Sequence, residues 1–384
     1  MTNESIYEQL QDILRCPITK ENVRLLRKSE LQDLNARVLE KKLFHSDGTL
    51  VGNPLEAGFI SSNGQYVYPI IDGIIVLLAH LSVSVTDLKG DSSISLRAEK
   101  KILQDFYDQV GWLKGEEDTS QYIDAVKWED LRPVVSDYTH RCHLRVNRYI
   151  QNSGQYLLDA GSGPIQYDEY LTYSQGYNYR ICMDISLLAL KEARKKLGNR
   201  GIYILGDIAN IPLQDSVVDG AVSLHTIYHV PADEQINAFR ELYRTIKPGT
   251  SAAIVYSWSN SSLMKVFLFP RRLQKAFRNF IGKVKSVIKK IIRWKGKSQI
   301  VVKSNAPENP YHHTFDYWYI TKKLADLNIA IFPWRSVGVP FMKIYIHPNF
   351  FGRKIMDLVY NFEEKSPSLA ARIGQYPIIV LSKK

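Results

Sequence analysis

The chain has very little cysteine and no long apolar run, and both absences narrow its class. Three cysteines in 384 residues, Cys16, Cys142 and Cys182, are too few and too scattered for a disulfide framework. No apolar run approaches the ~20 residues that span a bilayer. The first residues carry neither the basic stretch nor the apolar core of a secretory signal. We therefore expect a cytoplasmic protein of two or three domains with a sizeable core.

Acidic residues are absent between Glu241 and Glu308, and cations cluster in the same stretch. Residues 265–297 hold twelve Lys or Arg, whereas the whole chain has a formal net charge of +11. Apolar residues recur at helical spacing over Leu273–Trp294, which predicts a basic amphipathic helix. Such a helix caps the protein's own substrate cleft, lies on an anionic membrane surface through 270–297, or binds nucleic acid or an anionic substrate. We favour the first two alternatives over the third.

A short strand followed by a glycine turn is the clearest local pattern. The strand Tyr156–Leu158 is apolar and stops at Asp159. Gly161 and Gly163 follow, and glycine there permits positive φ and the close approach of a ligand to the backbone. The third glycine of the dinucleotide fingerprint is missing, because Gln166 occupies its position. The pattern predicts a nucleotide-binding crevice beyond the end of this strand.

Strands and helices alternate through the next hundred residues. The predicted strands are Tyr179–Asp184, Gly201–Asp207, Asp219–His225 and Ser251–Trp258, and the helices are Leu187–Leu197 and Ala232–Ile246. This alternation predicts a parallel, doubly wound α/β sheet, which binds ligands beyond the carboxyl ends of its strands. Asp184 follows Asp159 by 25 residues, near the ~20-residue spacing at which an acid meets ribose hydroxyls.

With the strands, glycine turn, acids and helices in this order, the segment 152–258 resembles the class I S-adenosylmethionine-dependent methyltransferases of the quinone-biosynthesis and small-molecule type. The resemblance implies S-adenosylmethionine as cofactor and a seven-stranded Rossmann-like sheet with an antiparallel last strand. It also implies a set of donor-binding residues: Asp159, Gly161 and Gly163 at the methionine part, Asp184 at the ribose hydroxyls, Asp207 and Ile208 at the adenine, Leu224 beneath the donor, and Ile185.

An aromatic residue upstream of the first strand closes over the donor in many related enzymes. Tyr107 and Tyr138 fit this role, and we include Tyr138 in the donor site. A sulfonium against an aromatic face gains about 0.5–2 kcal/mol. The alternative for either tyrosine is packing between two helices.

Methyl transfer needs alignment of the acceptor and, for some acceptors, removal of a proton. His225, Tyr228 and His229 follow the fourth strand at the reactive edge, and histidine is the commonest general base near neutral pH. We expect one of the three to touch the acceptor, and packing is the alternative for each. His312 and His313 are further candidates for the acceptor pocket, but adjacent histidines lack metal-ligand spacing.

The first 85 residues resemble the small methyltransferase-activator family of zinc-ribbon-like proteins. The resemblance rests on Leu14-Arg-Cys-Pro-Ile-Thr19 and on the ending Tyr68-Pro-Ile-Ile-Asp-Gly-Ile74. Of the family's metal ligands only Cys16 remains, and Thr19 stands where its partner would be. One thiolate does not make a four-ligand zinc site, so we expect no metal. Asn63-Gly64 predicts a tight hairpin turn. We expect the module to be a docking or stabilising element and not a catalytic one.

The expected organisation has five parts. They are the activator-like module at 1–85, a helical lead-in and donor-site lid at 86–150, the methyltransferase core at 151–262, a basic helical insertion or cap at 263–312, and the end of the sheet at 313–384. In the last part we predict helices at Thr321–Leu327 and Phe351–Glu364 and strands at Ala330–Val339 and Tyr376–Ser382.

The leading hypothesis is a cytoplasmic methyltransferase, or one peripheral to the inner face of the membrane, acting on a small-molecule or lipid- or saccharide-linked acceptor. The alternatives are an RNA or protein methyltransferase with its activator fused in cis, and a donor-binding scaffold without catalysis. The sequence leaves the acceptor atom and the oligomeric state open.

Overall fold

The computed structural model describes residues 3–85, 94–114, 121–269 and 309–384. Strands from three of these four ranges, all but 94–114, join one mixed sheet. In chain order the strands are β1 (Val23–Leu25), β2 (Ala57–Ser61), β3 (Tyr66–Ile71), β4 (Ile74–Val76), β5 (Val83–Ser84), β6 (Gly154–Ala160), β7 (Tyr177–Asp184), β8 (Gly201–Leu205), β9 (Gly220–Leu224), β10 (Ser251–Val255), β11 (Ile329–Arg335) and β12 (Tyr376–Ser382).

Helices cover both faces of this sheet. They are α1 (Asn3–Leu10), α2 (Lys28–Leu39), α3 (Ala98–Phe106), α4 (Ile123–Trp128), α5 (Pro133–Leu144), α6 (Leu187–Leu197), α7 (Gln235–Thr245), α8 (262–269), α9 (Tyr317–Lys323), α10 (Val339–Tyr345), α11 (Gly352–Lys365) and α12 (Pro367–Ile373). A π-helical turn, Tyr107–Gly111, continues α3. Two apolar clusters, one on each face, contain most of the buried strand residues.

The centre of the sheet has the predicted parallel arrangement. Strand β6 lies between β7 and β9, and β8 and β10 continue the sheet outward in parallel. These strands are apolar and buried along nearly their whole length, as expected for a parallel sheet covered on both faces. The last strand, β12, pairs antiparallel with β10 and β11, which confirms the predicted reversal.

The sheet is larger than predicted, because the amino-terminal module extends it. Strand β4 pairs in parallel with β8, and Ile75 lies opposite Ile204. The strand order is β1-β2-β3-β4-β8-β7-β6-β9-β10-β12-β11, with β5 beside β3, so that twelve strands form one sheet. The seven strands β6 to β12 lie together in this order. The expectation that needs correction is that the module stands apart, because its five strands join the same sheet. Without β4, the edge of β8 would present unpaired N–H and C=O groups.

Local signals placed several elements correctly. Helix α6 has the predicted bounds: the Ser186 side chain caps it by accepting a bond from Ala189 N, and Gly198 ends it with φ 53°. The β2–β3 connection is the expected tight turn, with Gly64 at φ 73° and its N–H donating to Ser61 O.

The carboxyl-terminal third departs more from the prediction. Helix α9 begins at Tyr317, where Asp316 caps it, and not at Thr321. Strand β11 ends at Arg335, and helix α10 begins at Val339, with Pro340 in its first turn, where the strand was expected to end. Helix α12 was not predicted.

The predicted basic helix, Leu273–Trp294, lies outside the described residues. Of the predicted insertion at 263–312, the structure describes the helical segment that ends at residue 269 and residues 309–312. Over the described ranges, no helix is both long and apolar enough to cross a membrane.

Candidate functional site

A cavity of about 590 Å³ opens beyond the carboxyl ends of β6, β7, β8 and β9. Its wall includes the glycine turn after β6, the acids after β7 and β8, and the segment after β9. Helix α3 and its π turn lie across the cavity and contribute Lys100, Leu103 and Tyr107. Gln104 holds this lid in place by donating from Nε2 to Ile185 O over 2.9 Å.

The glycine turn brings backbone, not side chains, to the cavity. Gly161 has φ 73° and donates its N–H to Met183 O over 2.7 Å. A Cβ at this position would lie 2.2 Å from Thr226 Cγ2, so no side chain fits there. Gly163, at φ 54°, donates its N–H to Asp184 over 2.8 Å. The turn therefore depends on glycine both for conformation and for space.

Asp184, at the end of β7, is fixed by backbone amides. Its Oδ2 accepts from Gly163 N and its Oδ1 from Ser186 N, each over 2.8 Å. Burial raises the pKa of Asp184 to about 6, although these two bonds oppose the rise. Both oxygens are oriented while lone pairs remain for a ligand on the cavity wall, an arrangement that suits a diol.

Asp159 also lies on the cavity wall, but its charge is already balanced. Arg180, itself buried, donates to Asp159 Oδ2 from Nε over 3.1 Å and from Nη2 over 2.5 Å. Burial raises the pKa of Asp159 in spite of this partner. The pair fixes the end of β6 against β7, so we assign Asp159 a positioning role beside the turn.

Asp207 follows β8 and is shared between the sheet and the lid. Its Oδ1 accepts from Ala209 N over 2.9 Å, and its Oδ2 accepts from Lys100 Nζ over 2.5 Å. Lys100 also pairs with Glu234. Burial alone would lower the pKa of Lys100, but the two carboxylates raise it above its usual range. Apolar side chains line the cavity at the remaining predicted donor positions, which are Ile185, Ile208 and Leu224.

The structure separates the two candidate lid tyrosines. Tyr107 lines the cavity and stacks on Trp112, with ring centroids 4.7 Å apart. Tyr138 is only 1% exposed, and its hydroxyl donates to Glu363 Oε1 over 2.7 Å between α5 and α11. The assignment of Tyr138 to the donor site was therefore wrong, because this face of α5 packs on α11 and not on the cavity.

The three predicted acceptor contacts, His225, Tyr228 and His229, all lie on the cavity wall. Burial, with Arg335 nearby, holds the pKa of His225 well below its usual range. Burial lowers the pKa of His229 to about 4 and raises that of Tyr228 well above 10. All three side chains are therefore neutral at pH 7.

The two histidines differ in what their ring nitrogens contact. His229 Nδ1 lies 2.6 Å from Tyr311 O, so we assign the ring proton to Nδ1 and leave Nε2 as the acceptor. His225 Nε2 is buried and finds no hydrogen-bond partner among the described residues, and its ring centroid lies 4.5 Å from that of Trp334. His225 also adopts φ 59°, which is uncommon for a residue with a side chain. A strained backbone and an unpaired nitrogen on a cavity wall favour a functional role for His225.

Two carboxylates that the sequence did not single out line the acceptor half. Burial, with Glu129 nearby, raises the pKa of Asp124 on α4 to about 7. Glu129 accepts from Arg335 Nη1 over 3.0 Å. Tyr167 and Tyr376 complete this part of the wall. No motif precedes these residues, and only the fold brings α4 to the end of β9.

His312 and His313 take different positions. His312 lines the cavity, and its ring lies 5.2 Å from that of Tyr228. His313 instead donates its backbone N–H to Tyr228 O over 2.9 Å. Within the described parts of the chain, His, Cys, Asp and Glu form no group of three or more that could hold a metal ion. In the module, Cys16 Sγ lies 3.0 Å from the Tyr68 hydroxyl and accepts from Thr19 N.

Known proteins resemble the central part of the chain. The uncharacterised methyltransferase YdaC of Bacillus subtilis (strain 168) is 27% identical over 112 residues, which are 28% of this chain and 60% of that protein. This chain therefore spans less than two thirds of the length of that relative.

Solved structures show weaker likeness. A Haloferax volcanii complex between the Trm112 methyltransferase activator and a putative methyltransferase matches 65% of this chain and 91% of its own, with 13% identity and a TM-score of 0.40. Geranyl diphosphate C-methyltransferase of Streptomyces coelicolor A3(2) matches 75% of this chain and 99% of its own, with 12% identity and a TM-score of 0.42.

The family model of the methyltransferase domain matches residues 158–254. The match begins within β6 and ends within β10, so it includes the glycine turn, Asp184, Asp207 and the segment that carries His225. The chain therefore contains a methyltransferase domain, and the cavity described above lies at the carboxyl edge of that domain's strands.

Proposed function

We propose that the protein is an S-adenosylmethionine-dependent methyltransferase that acts in line on a small-molecule or lipid- or saccharide-linked acceptor. The arrangement of Asp184 carries this proposal. Its two oxygens are held by the amides of Gly163 and Ser186, and it stands at the end of β7 beside the turn. A carboxylate in this place, within a methyltransferase domain, suits the two ribose hydroxyls of the donor.

In the proposed complex the donor runs along the carboxyl edge of the sheet. Its methionine part lies on the turn at Gly161 and Gly163, and its adenine lies by Ile208 with the amino group at Asp207. Both Asp207 oxygens already accept one bond each, and each retains a further lone pair for the adenine. Tyr107 covers the donor from the lid.

The acceptor enters the half of the cavity lined by Asp124, His225 and Tyr376. Its nucleophilic atom forms a bond to the methyl carbon while the sulfur–methyl bond breaks and its electron pair returns to sulfur. A neutral thioether leaves, and the acceptor's proton passes to a base. We assign this base to Asp124, because a pKa of about 7 suits proton transfer near neutral pH. His225 Nε2, unpaired and neutral, positions the acceptor by accepting a hydrogen bond.

One observation favours a second candidate, an RNA or protein methyltransferase with an activator fused in cis. Strand β4 of the module pairs directly with β8 of the methyltransferase domain, and Arg15 N donates to Pro212 O over 3.0 Å. Such pairing fixes the module on the catalytic unit. The proposed membrane contact through 270–297 lies outside the described residues and is a separate hypothesis.

Calorimetry with S-adenosylmethionine and its demethylated product tests the proposal. Wild-type protein is expected to bind both, and Asp184→Ala to weaken both at least about tenfold, since hydrogen bonds to a charged group contribute about 1.5–3 kcal/mol each. Asp33→Ala, on the exposed face of α2, is the matched control and should bind as wild type does.

Absence of donor binding by wild type, or tight binding of a nicotinamide cofactor, would refute the assignment. A mass-spectrometric search for methylated products then separates the alternatives. Donor binding without any product in cell extract favours the scaffold, whereas methylated RNA or protein favours the second candidate.

A further inference from the structure

An exposed aromatic turn connects α10 to α11. Phe350 and Phe351 are adjacent, and each is 71% exposed. The turn is ordered by its own backbone: Phe350 N and Gly352 N both donate to His347 O, over 3.2 and 3.1 Å, and Asn349 N donates to His347 Nδ1. Two large apolar side chains are therefore held in solvent by a defined structure.

The backbone of Phe351 is strained in this position. Its φ is 56°, in the left-handed region that bulky residues rarely adopt. Glycine would relieve this strain, and a polar residue would relieve the exposure of an apolar ring. Strain and exposure together at one residue favour a functional reason for the phenylalanine, since neither contributes to the stability of the isolated protein.

The turn follows α10, which itself packs on α8 through aromatic side chains. Phe267 of α8 packs on Phe341 and Tyr345 of α10, with ring centroids 4.9 and 5.9 Å apart. On the outer side of this contact, further large apolar groups remain exposed. We call this surface the aromatic face; it comprises Val266, Phe267, Phe269, Tyr345, Phe350 and Phe351.

Cations surround the aromatic face. Lys343, Arg353 and Lys354 are exposed next to it, and Lys354 Nζ lies 5.4 Å from the ring centroid of Phe351. The chain has no acidic residue between Asp326 and Asp357. Exposed aromatic rings beside Lys and Arg are typical of segments that lie at the interface of an anionic membrane.

We propose that the aromatic face docks on an anionic lipid membrane, with Phe350 and Phe351 inserted below the headgroups. Strands β10 and β11 both run antiparallel to β12, so α8 and α10 follow strand ends at one edge of the sheet. The cavity residues Ser257 and Tyr376 lie at this same edge. Docking here brings the cavity towards the membrane, where a lipid-linked acceptor would be found. The inference goes beyond the proposed function, because vesicle binding requires no methyl transfer.

Sedimentation with vesicles tests the proposal on the full chain. We expect wild type to sediment with vesicles of phosphatidylcholine and phosphatidylserine, less with phosphatidylcholine alone, and less as salt rises. The double variant Phe350→Ser/Phe351→Ser should bind the anionic vesicles at least about tenfold more weakly, because two aromatic side chains are no longer buried in the membrane. Leu39→Ser, which changes a 77% exposed leucine of the amino-terminal module, is the control and should sediment as wild type.

A second variant reports insertion directly. In the variant Phe350→Trp, we expect the fluorescence of the introduced tryptophan to shift to shorter wavelength when anionic vesicles are added. We also expect brominated lipid to quench this fluorescence. Donor binding by the double serine variant should match wild type, because the turn lies outside the cavity wall.

Three results would overturn the proposal. The first is that wild type does not sediment with anionic vesicles at low salt. The second is vesicle binding that survives the double variant. The third is a change of sedimentation coefficient in that variant without lipid, which would make the aromatic face a contact between copies of the chain.

Discussion

Replacing Gly161 with alanine tests the geometry of the glycine turn. The new Cβ would lie 2.2 Å from Thr226 Cγ2 and 2.3 Å from Thr226 Oγ1. Both atoms belong to a short β-branched side chain that cannot swing away, because its hydroxyl donates to Gly161 O or Leu224 O. The turn itself must therefore shift, and we expect the donor affinity to fall together with the free energy of unfolding.

The expected loss of folding stability in Gly161→Ala has two parts, which a control variant can separate. Placing an L side chain in the left-handed region costs roughly 1–2 kcal/mol, and the overlap adds roughly 1–3 kcal/mol as overpacking. Gly249 has a similar φ of 80°, but a Cβ there would meet no atom within 4 Å. Gly249→Ala therefore measures the conformational part alone. Gly161→Ala should lower the free energy of unfolding by roughly 1–3 kcal/mol more than Gly249→Ala does.

Denaturant unfolding of wild type, Gly161→Ala, Thr226→Gly and the double variant gives a double-mutant cycle. Thr226→Gly removes the atoms that Gly161→Ala would meet, so the double variant should recover the overlap part, roughly 1–3 kcal/mol, and part of the donor affinity. The geometry would be refuted by additive effects in the cycle, or by a Gly161→Ala variant no less stable than Gly249→Ala.

Two further predictions concern Asp124 and Cys16. The pKa of Asp124 is raised to about 7, above its unfolded value of about 3.9, so the folded protein binds the extra proton and its free energy of unfolding falls as pH rises from about 4 to 7. Asp124→Asn should remove this fall and increase the stability above pH 7 by up to about 4 kcal/mol; denaturant unfolding between pH 4 and 8 measures it, and an unchanged pH dependence would contradict the assigned environment. Metal analysis of the purified protein should find no stoichiometric zinc, because only Cys16 occupies a ligand position; one zinc per chain, lost on Cys16→Ser, would contradict this.

The sequence predicts those parts of the site that are local in the chain. Strand β6 and its turn can be identified because apolar residues, an acid and two glycines follow one another within a few positions. Asp184 can be identified because it ends the next apolar strand. The bounds of α6 follow in the same way from Ser186 and Gly198. These signals depend on backbone preferences, which neighbouring residues determine.

Residues from the lid could not be predicted, because distant segments place them. Lys100 meets Asp207 across 107 positions of sequence, and Asp124 reaches the cavity from a helix without a motif. The choice between Tyr107 and Tyr138 illustrates the same limit. Both precede the matched segment in the chain, and only the partner of each ring, Trp112 for Tyr107 and Glu363 for Tyr138, decides which of the two lines the cavity.

The same dependence on tertiary contacts explains the size of the sheet. Residues 74–76 are apolar and end the Tyr-Pro-Ile pattern, but nothing local identifies β8 as their partner. The edge of β8 needs hydrogen-bond partners, and β4 provides them. The amino-terminal strands thus become part of the central sheet through one parallel pair.

The charges on the cavity wall connect donor binding to product release. Of the five carboxylates that the described residues place there, three have a cation: Asp159 with Arg180, Glu129 with Arg335, and Asp207 with Lys100. Asp184 and Asp124 form no ion pair within the described residues, and burial raises the pKa of Asp184 to about 6 and that of Asp124 to about 7, although the charge of Lys127 opposes the rise at Asp124. In the proposed complex, the donor's sulfonium would stabilise both as carboxylates, since an opposite charge nearby favours the ionised form. After methyl transfer the sulfur would be a neutral thioether, and this attraction would be lost. On the proposed function, these two acids therefore favour the charged donor over the neutral product, which is the direction that turnover requires.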